Sequence, residues 1–240
     1  MTESPSRIIG VRPLRAIEGA WVTISGDGFP LDPLPSVKIG TADARILTAS
    51  SRELRVAVPP AIEGGRMPIR IDSAPGETAF VDVGVPLATG LHQVDSPVFD
   101  RSGNLFVTFS GARGQHVPVS IYVVRPDGSR EPFVSGLANP TSLALDPSGQ
   151  LYVSSRFDGT VHRIAGDGST TQVASDLGVA CGIAFDRNGV LFVGDRSGTI
   201  FKVDNGHAEA FASLPPSVAA FHLAFAPDGD LFVTAPTLAS

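Results

Sequence analysis

The sequence predicts an all-β chain: an N-terminal β-sandwich followed by a partial β-propeller with three full four-stranded blades and two further strands. Three observations lead there. A nine-residue motif recurs four times, as FDRSGNLFV from Phe99, LDPSGQLYV from Leu145, FDRNGVLFV from Phe185 and FAPDGDLFV from Phe225. Its glycines, Gly103, Gly149, Gly189 and Gly229, are 46, 40 and 40 residues apart, the regularity of a stacked structural unit. Runs of period two bounded by Gly, Pro, Asn, Asp and Ser occur along the chain, with no long stretch of helical periodicity.

Residues 1–86 carry no forty-residue repeat. WVTISGDGF from Trp21, SVKIG from Ser36, ARILTASSRELRVAVP from Ala44, MPIRIDS from Met67 and TAFVDVG from Thr78 alternate apolar and polar residues between turn clusters, the pattern of a small sandwich. There is one cysteine, Cys181, so no intramolecular disulfide supports it. Trp21 is expected in the core, and Cys181 is expected to be a small buried apolar residue. Residues 87–92, within GVPLATGLHQV, read as a linker, and residues 93–240 as the repeat region.

In each motif copy a short apolar strand ends, an Asp and a Gly turn the chain, and a Leu-aromatic-Val strand leaves. Gly provides the positive φ, and Asp can bond its own downstream backbone. Asp100, Asp146 and Asp186 are therefore expected to build turns; the fourth copy has Ala226 there and moves the acid to Asp228. A second hairpin follows in three copies: IYVVRPDGSREPFV from Ile121, VHRIAGDGSTTQVA from Val161 and IFKVDNGHAEAFA from Ile200. Each unit thus holds four antiparallel strands, a propeller blade.

The first module resembles the IPT/TIG family of immunoglobulin-like domains over nearly all of residues 6–84. The matching positions are Pro13, Gly19, Val22, Thr23, Ile24, Gly26 and Phe29, with the later Pro59 and Pro60. That resemblance implies an Ig-like sandwich acting as spacer or interaction module, and no chemistry. The second module resembles NHL-type repeats and the neighbouring gluconolactonase-type six-bladed propellers. The latter resemblance implies a divalent cation, Ca or Zn, held by one Glu, two Asn and one Asp. Here those positions carry Asp95 (in DSPVF), Thr141, Cys181 and Phe221, leaving one carboxylate of four. A hard cation wants about six oxygens. The expectation is therefore a protein without a cofactor, with a degenerate metal-dependent lactonase or esterase centred on Asp95 as the alternative.

The other candidate site lies on the loops joining second to third strands. The first repeat has the long loop SGARGQHVPVS from Ser110, matched by SSRFDG from Ser154 and GDRSG from Gly194. Arg113, Arg156 and Arg196 sit in equivalent loops, accompanied by His116, Asp158 and Asp195, with His222 where the fourth repeat begins. Guanidinium groups in such an array can grip a carboxylate or a polar peptide by paired hydrogen bonds. The plainer reading is a set of solvated Arg–Asp surface pairs.

The exclusions are broader. The net charge is −6, with 9 basic and 10 acidic residues in 1–90 and 9 and 14 in 91–240, and no basic stripe. Nucleic acid and anionic membranes are not expected partners. His92, His116, His162, His207 and His222 are scattered singly, unlike a zinc site; His162 is expected to face solvent. No nucleophile elbow or phosphate loop is present. No signal peptide or apolar span is evident, so the default compartment is the cytoplasm. A non-catalytic binding or scaffolding role follows, directed at a protein or small polar ligand. Six blades of forty residues need roughly 240 residues, so the repeat region is expected to be part of a longer chain or to self-associate to complete the ring.

Overall fold

The computed structural model describes residues 5–91, 96–216 and 221–234. Every element among them is a β-strand; none is a helix long and apolar enough to cross a membrane. The chain divides into two compact units, residues 1–86 and 87–240.

The first unit contains β1 (Arg7–Arg12), β2 (Arg15–Ile17), β3 (Trp21–Asp27), β4 (Val37–Ile39), β5 (Ala42–Asp43), β6 (Ile46–Ala49), β7 (Glu53–Ala57), β8 (Gly65–Ile71) and β9 (Ala79–Gly84). They form two sheets, β1-β3-β7-β6 and β2-β9-β8-β4-β5, in which β2 runs parallel to β9. Alternation sends Val22, Ile24, Leu54 and Val56 of one sheet and Val37, Ile39, Ile69, Ile71, Val81 and Val83 of the other into one core. The single run expected over 44–59 is divided by a turn at residues 50–52, where the Ser50 hydroxyl accepts from the N–H groups of Arg52 and Glu53 at 3.3 and 3.0 Å. Gly26 is required by packing, because a Cβ there would collide with the Arg7 carbonyl and the buried Phe29 ring.

Trp21 is not in the core. It shares β3 with the buried Val22 and Ile24 but lies at the opposite parity, so it is 53% exposed. The Arg55 guanidinium covers its ring at 4.9 Å from the centroid.

The second unit begins with three antiparallel meanders whose spatial order follows the chain. The first sheet is β10 (Val98–Phe99), β11 (Leu105–Thr108), β12 (Ile121–Val124) and β13 (Arg130–Val134). The second is β14 (Pro140–Leu145), β15 (Leu151–Ser155), β16 (Thr160–Ile164) and β17 (Thr170–Ala174). The third is β18 (Ala180–Phe185), β19 (Leu191–Asp195), β20 (Thr199–Asp204) and β21 (His207–Ser213). A two-stranded sheet follows, β22 (His222–Phe225) and β23 (Leu231–Thr234).

The first-hairpin turns are built as the sequence suggests. Asp100 accepts from the N–H groups of Ser102 and Asn104 at 2.9 and 2.8 Å, Asp146 from those of Ser148 and Gln150 at 2.9 and 3.0 Å, and Asp186 from those of Asn188 and Val190 at 2.9 and 2.8 Å. In the fourth copy Asp228 accepts from Asp230 N–H at 3.2 Å.

Neighbouring sheets touch through their first strands, β14 on β18 and β18 on β22, while β11 meets β14. Apolar side chains fill the first two inter-sheet layers, Phe106, Val123, Leu143 and Val153 in one, Val161, Ile183, Leu191 and Val193 in the next. A hydroxyl from the second strand of each of the first two sheets also reaches the start of the next sheet: Thr108 donates to the Thr141 carbonyl at 3.2 Å, and Ser154 donates to the Cys181 carbonyl. The third sheet has Gly194 at that position, and the fully buried Phe221 packs against it.

Candidate functional site

The loops between second and third strands are organised by polar groups at the start of the following sheet. Asn139, 0% exposed and at φ 44°, directs its amide N–H groups to the carbonyls of Gly111 and Ala112 at 2.9 and 3.0 Å and to the Ser110 hydroxyl at 3.3 Å. Its side-chain oxygen accepts from Gly114 N–H at 2.6 Å. One buried side chain therefore holds the long first loop. The tip then packs on the second loop: a Cβ on Gly114 would stand 2.9 Å from the Phe157 ring, which is 51% exposed.

That contact relates two of the expected residues. Arg113 adjoins Gly114 and Arg156 adjoins Phe157; both arginines are exposed, and neither is in an ion pair among the described residues. The equivalence of Arg156 and Arg196 holds at the backbone, where their N–H groups donate to the carbonyls of Asn139 and Val179, each at 3.3 Å. Arg196 and His116 are exposed, and His116 forms an isolated bridge with Ala138.

The acids behave differently. Asp158 is exposed and accepts from the Ser155 hydroxyl at 3.1 Å. Asp195, expected to face a ligand, is buried. Its carboxylate accepts from Val179 N–H at 2.8 Å and from the Ser197 hydroxyl, and a Cβ on Gly178 would come within 2.7 Å of it. It braces the turn into the third sheet because a buried carboxylate must be hydrogen-bonded. His222 is exposed, with Nδ1 3.3 Å from the Ser96 hydroxyl. His162 is half-buried rather than solvated: Nε2 lies 2.9 Å from the Thr160 hydroxyl, and burial, partly opposed by the Asp158 charge, lowers its pKa.

Of the four metal positions that the gluconolactonase-type resemblance implies, the three among the described residues make a poor set for a hard cation. Thr141 donates its hydroxyl to the Asn139 carbonyl at 3.0 Å, Cys181 is buried, and Phe221 offers only hydrocarbon. Asp95 and His92 lie outside the described residues. Among the described residues no three His, Cys, Asp or Glu side chains converge as a metal site.

Asn139 and Phe157 are not among the residues expected from the sequence. A signal existed in the sequence: the six extra residues of the first loop face an Asn-Pro pair, whereas the next repeat has Val179 in place of the Asn.

No protein-family model matches the chain, and no curated protein matches it in sequence. Solved structures do. An auxiliary nutrient binding protein from Bacteroides thetaiotaomicron is 14% identical with TM-score 0.51, covering 97% of this chain and 65% of that one. A protein of unknown function from the same organism is 11% identical with TM-score 0.52, over 98% and 68%. A catalytically inactive virginiamycin B lyase from Staphylococcus aureus, solved with quinupristin, is 12% identical with TM-score 0.50, over 98% and 80%. The chain is all-β and propeller-like. At these identities the likeness is one of fold, and the chain spans less than two-thirds of the first of these proteins.

Proposed function

We propose that the second unit is a non-catalytic binding module whose loop face takes a small anionic ligand with an apolar part, or a peptide carrying the same groups. The observation that supports this is the Asn139-held loop, which sets Gly114 against Phe157 and so joins the Arg113 and Arg156 loops. Arginine supplies paired donors for a carboxylate, and a half-exposed phenyl ring supplies an apolar platform. Loops on a rigid β scaffold are where such recognition usually resides. The fold neighbour from B. thetaiotaomicron is an auxiliary nutrient binding protein, a role of the same class. In this reading the first unit is an IPT/TIG-like spacer.

N-acetylphenylalanine serves as probe, with its amide as the uncharged control, in calorimetric titrations of the 240-residue chain. Saturable binding of the acid, weakened about tenfold (~1.4 kcal/mol) by Arg113→Ala and by Arg156→Ala, is expected. Equal binding of acid and amide, or affinity indifferent to both substitutions, overturns the reading.

A further inference from the structure

We propose that the exposed face of the β22–β23 sheet, centred on Phe232, docks the Phe99 end of a second copy of this chain. The argument begins with a contact that repeats. The aromatic residue of each second strand packs on the last residue of the next sheet's first strand, Tyr152 on Phe185 with centroids 4.7 Å apart and Phe192 on Phe225 at 5.1 Å. Phe106 and Leu145 take the same places between the first two sheets and share one apolar cluster. The series has two ends, Phe232 in the position of Phe192 and Phe99 in the position of Phe225. They are 61% and 58% exposed.

The parity of the last sheet matches. Leu223, Phe225, Leu231 and Val233 are half-buried, while His222, Ala224, Phe232 and Thr234 form the exposed face, paired His222 with Thr234 and Ala224 with Phe232. In the third sheet the same face, Ala184 with Phe192, is buried under its successor.

The leading end of the unit carries a complementary part. In the second and third sheets, the turn glycine between third and fourth strands lies against a carbonyl of the preceding sheet's outermost strand: Gly168 against Phe133, Gly206 against Val173. In the first sheet Gly128 lies in the same way against the Leu87 carbonyl, and Arg130 donates to the Gly90 carbonyl at 3.4 Å. The segment 87–90 thus stands where a preceding sheet's outer strand belongs. A second copy docked on Phe232 brings this segment to a sheet that has two strands among the described residues, where its predecessors have four. The turn arginines agree in phase: Arg101 donates to the Pro147 carbonyl at 3.3 Å and Arg187 to the Asp228 carbonyl at 2.8 Å, so an Arg-bearing first sheet following the fourth preserves the alternation.

Contacts among the described residues of one chain do not cover these faces. Ser96 and His222 meet at 3.3 Å, yet Phe99 and Phe232 stay exposed. The two patches differ, so the contact is heterologous and copies add head to tail. It is independent of the ligand-binding reading.

Sedimentation of the 240-residue chain over a range of concentrations tests this. Mass rising above the 24.9 kDa of one chain is expected, returning to one chain in Phe99→Asp and in Phe232→Arg. Both residues are exposed, and circular dichroism checks that each variant folds. An equimolar mixture of the two variants regains a species of twice that mass, because one copy keeps Phe232 and the other Phe99. A single-chain mass for the unmodified protein at every concentration overturns the proposal. So does association that survives both substitutions, or a mixture that stays monomeric.

Discussion

The Gly114 N–H donates to the Asn139 side chain across 2.6 Å, tying the tip of the longest loop of the repeat region to the start of the neighbouring sheet. Asn139→Ala removes this acceptor and the amide that serves Gly111 and Ala112, and leaves a residue without local bonding at positive φ. Stability should fall by about 1–3 kcal/mol, the range for buried groups left unsatisfied. Urea unfolding gives the magnitude. Limited trypsin digestion gives the location, since the peptide bond after Arg113 should become the fastest-cut site.

Much of the repeat region was legible because its turns are chemically explicit. An Asp whose carboxylate serves two downstream N–H groups, followed by a Gly at positive φ, writes a hairpin into a few letters, as at Asp100 and Gly103. The size of Trp21 points to the core, but parity decides: with Val22 and Ile24 inward, their neighbour in the strand points out. The short strands β2 and β5, of three and two residues, carry too few alternations to announce themselves. Asp195 looked like a loop acid because nothing local shows that its partner is Val179, sixteen residues away. Arg113 and Arg156 stand out in the sequence as candidates, but the brace between their loops depends on a single Asn that the repeat does not share.

Asp195 should act on stability rather than on recognition. Asp195→Ala removes a buried carboxylate that accepts from the Val179 N–H and the Ser197 hydroxyl and should cost about 1–3 kcal/mol. Asp195→Asn keeps a side-chain oxygen for Val179 and should cost clearly less. Gly178→Ala should also destabilise, since its Cβ would run into the carboxylate at a φ of 63°. Denaturant midpoints order the three variants; equal stability of Asp195→Ala and the unmodified chain would refute the bracing role.

The turn aspartates make stability depend on acid. For Asp100, burial raises the carboxyl pKa, but the Asn104 amide and the N–H groups of Asn104 and Ser102 outweigh it and hold it below the usual range. For Asp146, burial is likewise outweighed by the Ser148 hydroxyl and the N–H groups of Gln150, Ser148 and Gly149. A carboxyl with a lower pKa folded than unfolded stabilises fully above its unfolded value, and that contribution is lost as pH falls through the folded one. Asp100→Asn and Asp146→Asn should therefore be less stable than the unmodified protein at neutral pH, with the gap closing below about pH 4. Urea midpoints measured from pH 7 downward should converge; parallel curves would refute the assignment.

Cys181 reports on the seam between the second and third sheets. It is 1% exposed, and its carbonyl accepts from the Ser154 hydroxyl across that seam. A thiol so placed reacts only when the seam opens, so its labelling rate measures the free energy of that opening. Labelling by a small disulfide reagent should be slow in the native protein and rapid in urea. Ser154→Ala removes the donor and leaves the buried carbonyl one bond short, which should raise the native rate about tenfold if the loss is near 1.4 kcal/mol. Native labelling as fast as in urea would mean that the two sheets do not pack as described.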